Sequence, residues 1–129
     1  MDTLPCALYP EAMEDCLFCK IVEKKIPAKI VYEDERSVAF SDINPQAPTH
    51  ILVVPRAHIP TINDVGPAEE PLIGHLFKVA SELAGVAGFG DRGYRTVINC
   101  GPEAGQSVYH VHLHLLGGRP MGWPPFPRA

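Results

Sequence analysis

The chain has 129 residues, of which 46% are hydrophobic and 20% are charged, and this suits one domain with its own core. The net charge of −4 and the lack of a basic stripe argue against binding to nucleic acid. The longest aliphatic run is ILVV at 51–54, far short of the roughly 20 residues that a membrane-spanning helix needs, and no secretory signal opens the chain. We therefore expect a cytoplasmic protein without a membrane partner, with a flexible acidic leader over 1–14 and a single domain over 15–129.

The first half of the chain predicts a short helix followed by three strands. Apolar residues recur at helical spacing over 16–25, and Pro27 follows them. KIVYED and SVAFSD are predicted strands joined by a turn at 34–36. INPQAP is a predicted loop, THILVVPR a buried strand that Pro55 ends, and 59–70, with two prolines, a surface connection.

The second half predicts one long helix and two more strands. Apolar residues at helical spacing indicate an amphipathic helix from about Pro71 to Val86. YRTVINC is a predicted strand, GPEAGQ a glycine-rich turn, and SVYHVHLHLL the last strand. The tail WPPFPRA has too few backbone donors for regular structure. Strands arranged around one long helix indicate an α+β fold with a largely antiparallel sheet.

The last predicted strand carries three histidines, His110, His112 and His114, which alternate with apolar residues. Alternate residues of a strand share a face, so we expect the three imidazoles on one side of the sheet. A single buried imidazole is ordinary, but three in register are costly, because each unsatisfied polar group costs about 1–3 kcal/mol. Two chemistries fit them: metal ligation by His-x-His, or attack by a neutral imidazole with neighbours that donate to developing charge. The preceding GPEAGQS turn favours the second, because its N–H groups and the Ser107 hydroxyl can hold phosphate oxygens, although a plain hairpin loop also fits.

HVHLHLL resembles the signature of the histidine triad (HIT) nucleotide hydrolases and transferases. The resemblance spans residues 16 to 125 and points to the Hint branch, the nucleoside phosphoramidases. It is carried by KKIPAKIVYED, AFSDINPQAPTHILVVPRAHI, GYRTVIN and GQSVYHVHLHLLGGRPMGWPP. It implies a HIT-like fold with a five-stranded largely antiparallel sheet, one long and one short helix, and a homodimer in which the two sheets join. It also implies hydrolysis of purine nucleoside phosphoramidates and acyl-adenylates to nucleoside monophosphates, through a nucleotidyl-histidine intermediate.

The resemblance also implies a role for individual residues. His112 would attack the α-phosphorus, while His114 and Ser107 would assist at the phosphate and His110 would complete the triad. Asp42 would accept hydrogen bonds from the ribose hydroxyls, although its local sequence also fits an Asx turn. The other implied substrate-binding residues are Asn99, Gly105, Gln106 and Val108 near the phosphate, Phe18, Ile21, Phe40, Ile43 and Leu52 around the purine, and Trp123, which would reach the site of the other subunit. From local sequence alone, the five around the purine are ordinary core residues.

Cys16 and Cys19 form a Cys-x-x-Cys pair, which by itself often consists of buried thiols. The pair resembles a zinc-bearing subset of the family, in which the other two ligands match His50 and His110. A Cys₂His₂ set is typical of a structural zinc site, so we expect structural zinc and no organic cofactor. The rival interpretation is a hydrogen-bonded His50–His110 pair without metal. His58 is expected only to brace its loop.

Three other functions remain open at this point. A dinucleoside polyphosphate hydrolase of the same family is disfavoured, because GGRPMGWPP is a Hint-type ending. A nucleotide-binding scaffold without catalysis is disfavoured by the intact triad together with Ser107 and Asn99. A metal-dependent hydrolase that uses all three histidines is disfavoured, because no carboxylate neighbours them in the sequence.

Overall fold

The computed structural model describes residues 16–126, so the predicted leader over 1–14 lies outside the described residues. Five strands form one antiparallel sheet in the order β1-β2-β3-β5-β4. The strands are β1 (Ile30–Glu33), β2 (Ser37–Ser41), β3 (Thr49–Pro55), β4 (Arg95–Val97) and β5 (Leu113–Gly117), and the helices are α1 (Leu17–Val22) and α2 (Glu70–Ala87). The predicted α+β architecture is confirmed. Within residues 16–126, no helix is both long enough and apolar enough to span a bilayer.

Both faces of the sheet are covered, and the central strand β3 is therefore apolar on both sides. Ile51 and Val53 pack in the cluster that contains the apolar side of α2. Leu52 and Val54 pack on the opposite face, in the cluster that contains α1. The face under α1 is the one that carries the candidate site.

The two helices begin and end where local residues dictate. Pro71 lies in the first turn of α2, where a missing N–H costs nothing. Gly88 ends α2 in the left-handed region with φ 94°, and its N–H donates to the carbonyl of Ala84. Helix α1 is shorter than the predicted 16–25, because Lys24 adopts φ 60° and turns the chain away before Pro27.

The last strand begins at Leu113, later than the start predicted at Ser107. Its partner β3 ends at Pro55, which has no N–H to continue the ladder. Val111 instead donates its N–H to the carbonyl of Ile59 at 2.7 Å. His110 and His112 therefore precede the strand, although the sequence pattern predicts them to be part of it.

The three imidazoles nevertheless lie on one side of the sheet, as predicted, and this is the side that α1 covers. Phe18 of α1 contacts His110 and His112 edge-on, with ring centroids 6.1 Å and 4.9 Å away. The ring of His112 lies 4.9 Å from that of His114. The alternation of side chains thus continues through the irregular segment that leads into β5.

Candidate active site and metal-binding cluster

A cavity of about 320 Å³ lies between α1 and the sheet. Its apolar lining consists of the five residues predicted around the purine, together with four others that local sequence did not single out. The five are Phe18, Ile21, Phe40, Ile43 and Leu52, and the four are Leu17, Ile26, Pro27 and Ala28. The rest of the lining consists of the polar residues Ser41, Asp42, Ser107, His112 and His114, and of Val108. An apolar cleft and a group of hydrogen-bonding side chains therefore share one cavity.

His112 is held in one tautomer by the chain itself. Its Nδ1 donates to the carbonyl of His110 at 2.8 Å. Burial lowers the pKa of His112, against a smaller upward effect of this hydrogen bond and of the Asp42 charge. The ring is therefore neutral near pH 7, with a lone pair on Nε2, which is the form of imidazole that acts as a nucleophile.

His114 is the second imidazole in the cavity. Its Nδ1 lies 2.9 Å from Nε2 of His50. Its Nε2 is buried and has no hydrogen-bond partner among residues 16–126. Burial, followed by repulsion from His112 and His50, lowers the pKa of His114 to about 4. The cavity thus contains a neutral imidazole whose Nε2 is available to hydrogen-bond a ligand.

Asp42 lines the cavity and also forms the Asx turn that its local sequence predicts. Its Oδ1 accepts the N–H of Asn44 at 2.8 Å. Its Oδ2 lies 3.4 Å from Nε2 of His50. The turn holds the carboxylate in the lining of the cavity, so the two interpretations of Asp42 are compatible.

Other predicted phosphate-side residues differ in how directly they face this cavity. The side chain of Gln106 is buried and braces its own loop, because it accepts from the N–H of Gly101 and donates to the carbonyls of Pro60 and Val108. Asn99 and Gly105 are not among the residues that line the cavity. The Gln106 side chain therefore positions the turn that presents Ser107.

Trp123 lies outside the cavity of its own chain. Its side chain is 83% exposed, and the guanidinium of Arg95 lies 5.9 Å from its ring centre. Arg95 also donates to the carbonyl of Gly122 at 2.8 Å. Arg95 thus anchors the segment that carries the exposed tryptophan.

Behind the triad, Cys16, Cys19, His58 and His110 place one donor atom each within 4.8 Å of the others. Nδ1 of His110 lies 3.4 Å from Sγ of Cys16 and 3.5 Å from Sγ of Cys19, and Nδ1 of His58 lies 3.3 Å from Sγ of Cys19. These four residues could hold a metal ion. The prediction of His50 as the fourth member is corrected to His58, and the rival His50–His110 pair is wrong as well, because His50 contacts His114.

The chemistry of this cluster fits a metal. His110 donates from Nε2 to the carbonyl of Pro55 at 2.8 Å, so a neutral ring presents the lone pair of Nδ1 to the two sulfurs. Burial, ahead of the repulsion from His58 and His112, lowers the pKa of His110 to about 4. A ligand histidine whose other nitrogen is held by a carbonyl is the usual arrangement in metal sites.

The sequence did not reveal His58, because its place in the cluster depends on a contact between distant segments. The hydrogen bond between Val111 and Ile59 sets the chain after β3 beside the triad, and this brings His58 next to His110. His50 was the more attractive choice, because it lies within β3. In the pairing of β3 with β5, however, His50 lies opposite Leu116, at a position distant from His110.

The sequence and the fold are similar to those of known proteins. The family model "HIT domain" matches residues 23–121. The purine nucleoside phosphoramidase of Escherichia coli strain K12 is 49% identical over 109 residues, which cover 84% of this chain and 92% of that protein. An uncharacterised HIT-like protein of Synechocystis is 51% identical over 112 residues, or 87% of this chain and 97% of that protein. The crystal structure of a HIT family hydrolase from Legionella pneumophila superposes with a TM-score of 0.85 at 52% identity, over 87% of this chain and 100% of that one. The chain belongs to the HIT family.

Proposed function

We propose that this protein hydrolyses the P–N bond of purine nucleoside phosphoramidates, and more slowly acyl-adenylates, to release the nucleoside monophosphate. The observation that carries the proposal is the hydrogen bond from Nδ1 of His112 to the carbonyl of His110, at 2.8 Å. It sets a neutral imidazole with a lone pair on Nε2 in a cavity that is lined by both apolar and hydrogen-bonding side chains. The similarity to a purine nucleoside phosphoramidase supports the same chemistry.

The proposed reaction has two displacements at phosphorus. Nε2 of His112 attacks the α-phosphorus, a P–Nε2 bond forms and the P–N bond of the substrate breaks. The amine leaves with the bonding electron pair and a proton from solvent. Water then cleaves the P–Nε2 bond, and this releases the nucleoside monophosphate and the free imidazole. Ser107 and His114 line the same cavity as His112 and are the donors proposed to act on the non-bridging oxygens.

The proposed orientation of the nucleotide assigns the apolar and the polar residues of the cavity to different parts of the ligand. The apolar side chains of Phe18, Ile43 and Leu52 would hold the purine. Asp42 lines the same cavity, and its carboxylate would accept from both ribose hydroxyls. The phosphate would then face His112.

The test compares His112→Gly with the wild type and with His75→Gln, a control histidine that contacts Asp34 away from the cavity. We expect His112→Gly to lose phosphoramidate turnover by several orders of magnitude while its affinity for AMP changes little, because the lost group acts only on the reacting phosphorus. His75→Gln should retain the wild-type rate. A His112→Gly variant with the wild-type rate would overturn the proposal.

Two other functions can be separated by measuring the same preparation on other ligands. An adenosine phosphoramidate and a diadenosine polyphosphate should be compared by kcat/KM, and we expect the phosphoramidate to be strongly preferred. A preference for the diadenosine compound would identify a dinucleoside polyphosphate hydrolase. AMP binding without turnover of either compound would identify a scaffold protein.

We propose that the metal held by Cys16, Cys19, His58 and His110 is zinc with a structural role. Two sulfur and two nitrogen donors are the set that zinc prefers in closed four-coordinate sites. Such a metal would tie α1 to the segment that carries His112, and it takes no part in the reaction steps above. Both cysteines would bind as thiolates, so the reduced protein is the form to analyse.

We also propose that the protein is a homodimer, with Trp123 of each chain near the cavity of the other. Support comes from the exposed tail, in which Trp123 and Phe126 leave 83% and 67% of their surface uncovered. Sedimentation equilibrium should give twice the chain mass of 14.1 kDa, and the chain mass alone would contradict the proposal.

A further inference from the structure

His50 is a buried histidine that the proposed reaction does not use directly. It lies in β3, with only 6% of its surface exposed, and it is not among the residues that line the cavity. Its ring is 5.1 Å from that of His114, which does line the cavity. A buried polar ring that contacts a cavity residue can control the orientation and the tautomer of that residue.

The backbone fixes the proton of His50. The N–H of Gln46 donates to Nδ1 of His50 at 3.0 Å. Nδ1 is therefore an acceptor, and the proton of the neutral ring must be on Nε2. Burial lowers the pKa of His50, against the smaller upward effect of Asp42, so the neutral ring is the relevant one. His50 thus presents an Nε2–H.

That N–H in turn fixes the proton of His114. Nε2 of His50 lies 2.9 Å from Nδ1 of His114, compared with 3.4 Å from Oδ2 of Asp42. Nδ1 of His114 must accept this hydrogen bond, and its own proton is then on Nε2. This is the nitrogen that is buried and lacks a partner within residues 16–126. The hydrogen bonds therefore run from Gln46 through His50 to His114 and end in a donor that no described residue uses.

We infer that His50 is a positioning residue that holds His114 as an Nε2–H donor for an anionic oxygen in the cavity. The inference rests on the proposed function for the identity of that oxygen, a non-bridging oxygen of the phosphoryl group. The proton on Nε2 of His114 is set before any ligand binds, so this donor needs no rearrangement during the reaction. In the other tautomer, His114 would present a lone pair to the phosphate and repel it.

A metal ion is the obvious competing occupant, because Asp42, His50 and His114 place donor atoms within 4.8 Å of one another. Two histidines and a carboxylate are a common metal-binding set. Nε2 of His50, however, carries a proton as long as Gln46 donates to Nδ1, and a protonated nitrogen cannot bind a metal. The hydrogen bonds favour the positioning role over a second metal site.

The first measurement is the proton position itself, read from the nitrogen chemical shifts of His114 in ¹⁵N-histidine-labelled protein without substrate. We expect a protonated Nε2 and an unprotonated Nδ1 in the wild type and in the control His75→Gln. In His50→Leu, which has no donor, we expect His114 to populate both tautomers. In His50→Gln, whose amide N–H can reach the position of Nε2, we expect the wild-type pattern. A wild-type His114 with its proton on Nδ1 overturns the inference whether or not the variants fold.

The second measurement is kinetic and uses the same variants. For His50→Leu we expect kcat to fall about 10- to 100-fold with a small change in KM, because the misplaced donor acts on charge that develops in the transition state. His50→Gln should recover most of the lost kcat. A kcat for His50→Leu within twofold of the wild type overturns the inference. A wild-type protein that has the expected tautomer but hydrolyses no phosphoramidate would instead refute the proposed function.

Discussion

The three triad histidines differ in where their proton is held, although they share one face of the sheet. His110 carries its proton on Nε2, where it donates to the carbonyl of Pro55. His112 carries its proton on Nδ1, where it donates to the carbonyl of His110. His114 carries its proton on Nε2, because His50 occupies Nδ1. The three rings therefore present different atoms: His110 a lone pair on Nδ1 towards the sulfurs of Cys16 and Cys19, His112 a lone pair on Nε2, and His114 an N–H on Nε2.

Asp42 provides a prediction at the scale of one residue. In Asp42→Asn the side chain loses the charge that would accept from the ribose, and a hydrogen bond to a charged group contributes about 1.5–3 kcal/mol. We expect kcat/KM to fall about 10- to 100-fold for a ribonucleoside phosphoramidate. The 2′-deoxy substrate is the matched control, and its kcat/KM should fall much less. An equal loss for both substrates would show that Asp42 acts through His50 or its turn, not through the ribose.

Much of the candidate site could be predicted from sequence, because its residues lie in segments that resemble the HIT family. Ser107, His112, Asp42 and the apolar residues of α1 and β2 do line one cavity. The prediction failed for the metal-binding roles of His50 and His58, because the neighbours of these two histidines are set by contacts between segments that are distant in sequence. The role of the Gln106 side chain was also hidden, because its partners Pro60 and Gly101 lie on different loops.

At the scale of elements, the turn between β1 and β2 is fastened to α2 through Asp34. Its Oδ2 accepts from His75 at 2.6 Å and from the Tyr32 hydroxyl at 2.9 Å. Its Oδ1 accepts the N–H groups of Arg36 and Ser37, both at 2.8 Å. Partial burial is the largest single influence on the pKa of Asp34, and it raises this pKa. The hydrogen bonds together outweigh burial and hold the pKa of Asp34 well below its usual range.

The depressed pKa of Asp34 predicts a stability that depends on pH. The unfolded carboxyl has a pKa of about 3.9, so the stabilisation is complete above that value and is lost as the pH falls towards the lower folded pKa. We expect Asp34→Asn to lower the free energy of unfolding at pH 7 by about 1–3 kcal/mol, and by less at pH 3. Urea titration at both pH values measures this. Glu35→Gln, an exposed neighbour in the same turn, is the control, and an equal loss in both variants would contradict the account.

The pattern of elements was predictable where periodicity and chain breakers agree. Helix α2 ends within one residue of the predicted Val86, because Gly88 supplies the left-handed cap. The strand before Gly117 was predicted too long, since alternation of side chains continues through 107–112 without a paired partner. The alternation of apolar and polar residues predicts the face on which a side chain lies, whereas the hydrogen-bonded length of a strand depends on where the neighbouring strand ends.

At the scale of the whole molecule, the proposed metal would connect α1 to two segments distant in sequence, around His58 and His110. We expect reduced wild-type protein to contain one zinc per chain and Cys16→Ser to contain much less. Removing the metal should lower the free energy of unfolding by about 3 kcal/mol if free zinc is held near 100 times its dissociation constant. Cys100→Ser, which changes a cysteine outside the cluster, should keep both zinc and stability. Reduced wild-type protein without zinc would contradict the proposal.

The proposed covalent attachment of the nucleotide to His112 is the claim on which the rest of the account depends. It can be tested by quenching the reaction with a slowly turned-over adenosine phosphoramidate, digesting the protein and locating the added AMP by mass spectrometry. We predict AMP on the peptide that contains 110–114, with fragmentation that assigns it to His112, and no labelled peptide from His112→Gly. AMP attached to another residue, or rapid turnover with no labelled peptide at any quench time, would contradict the account.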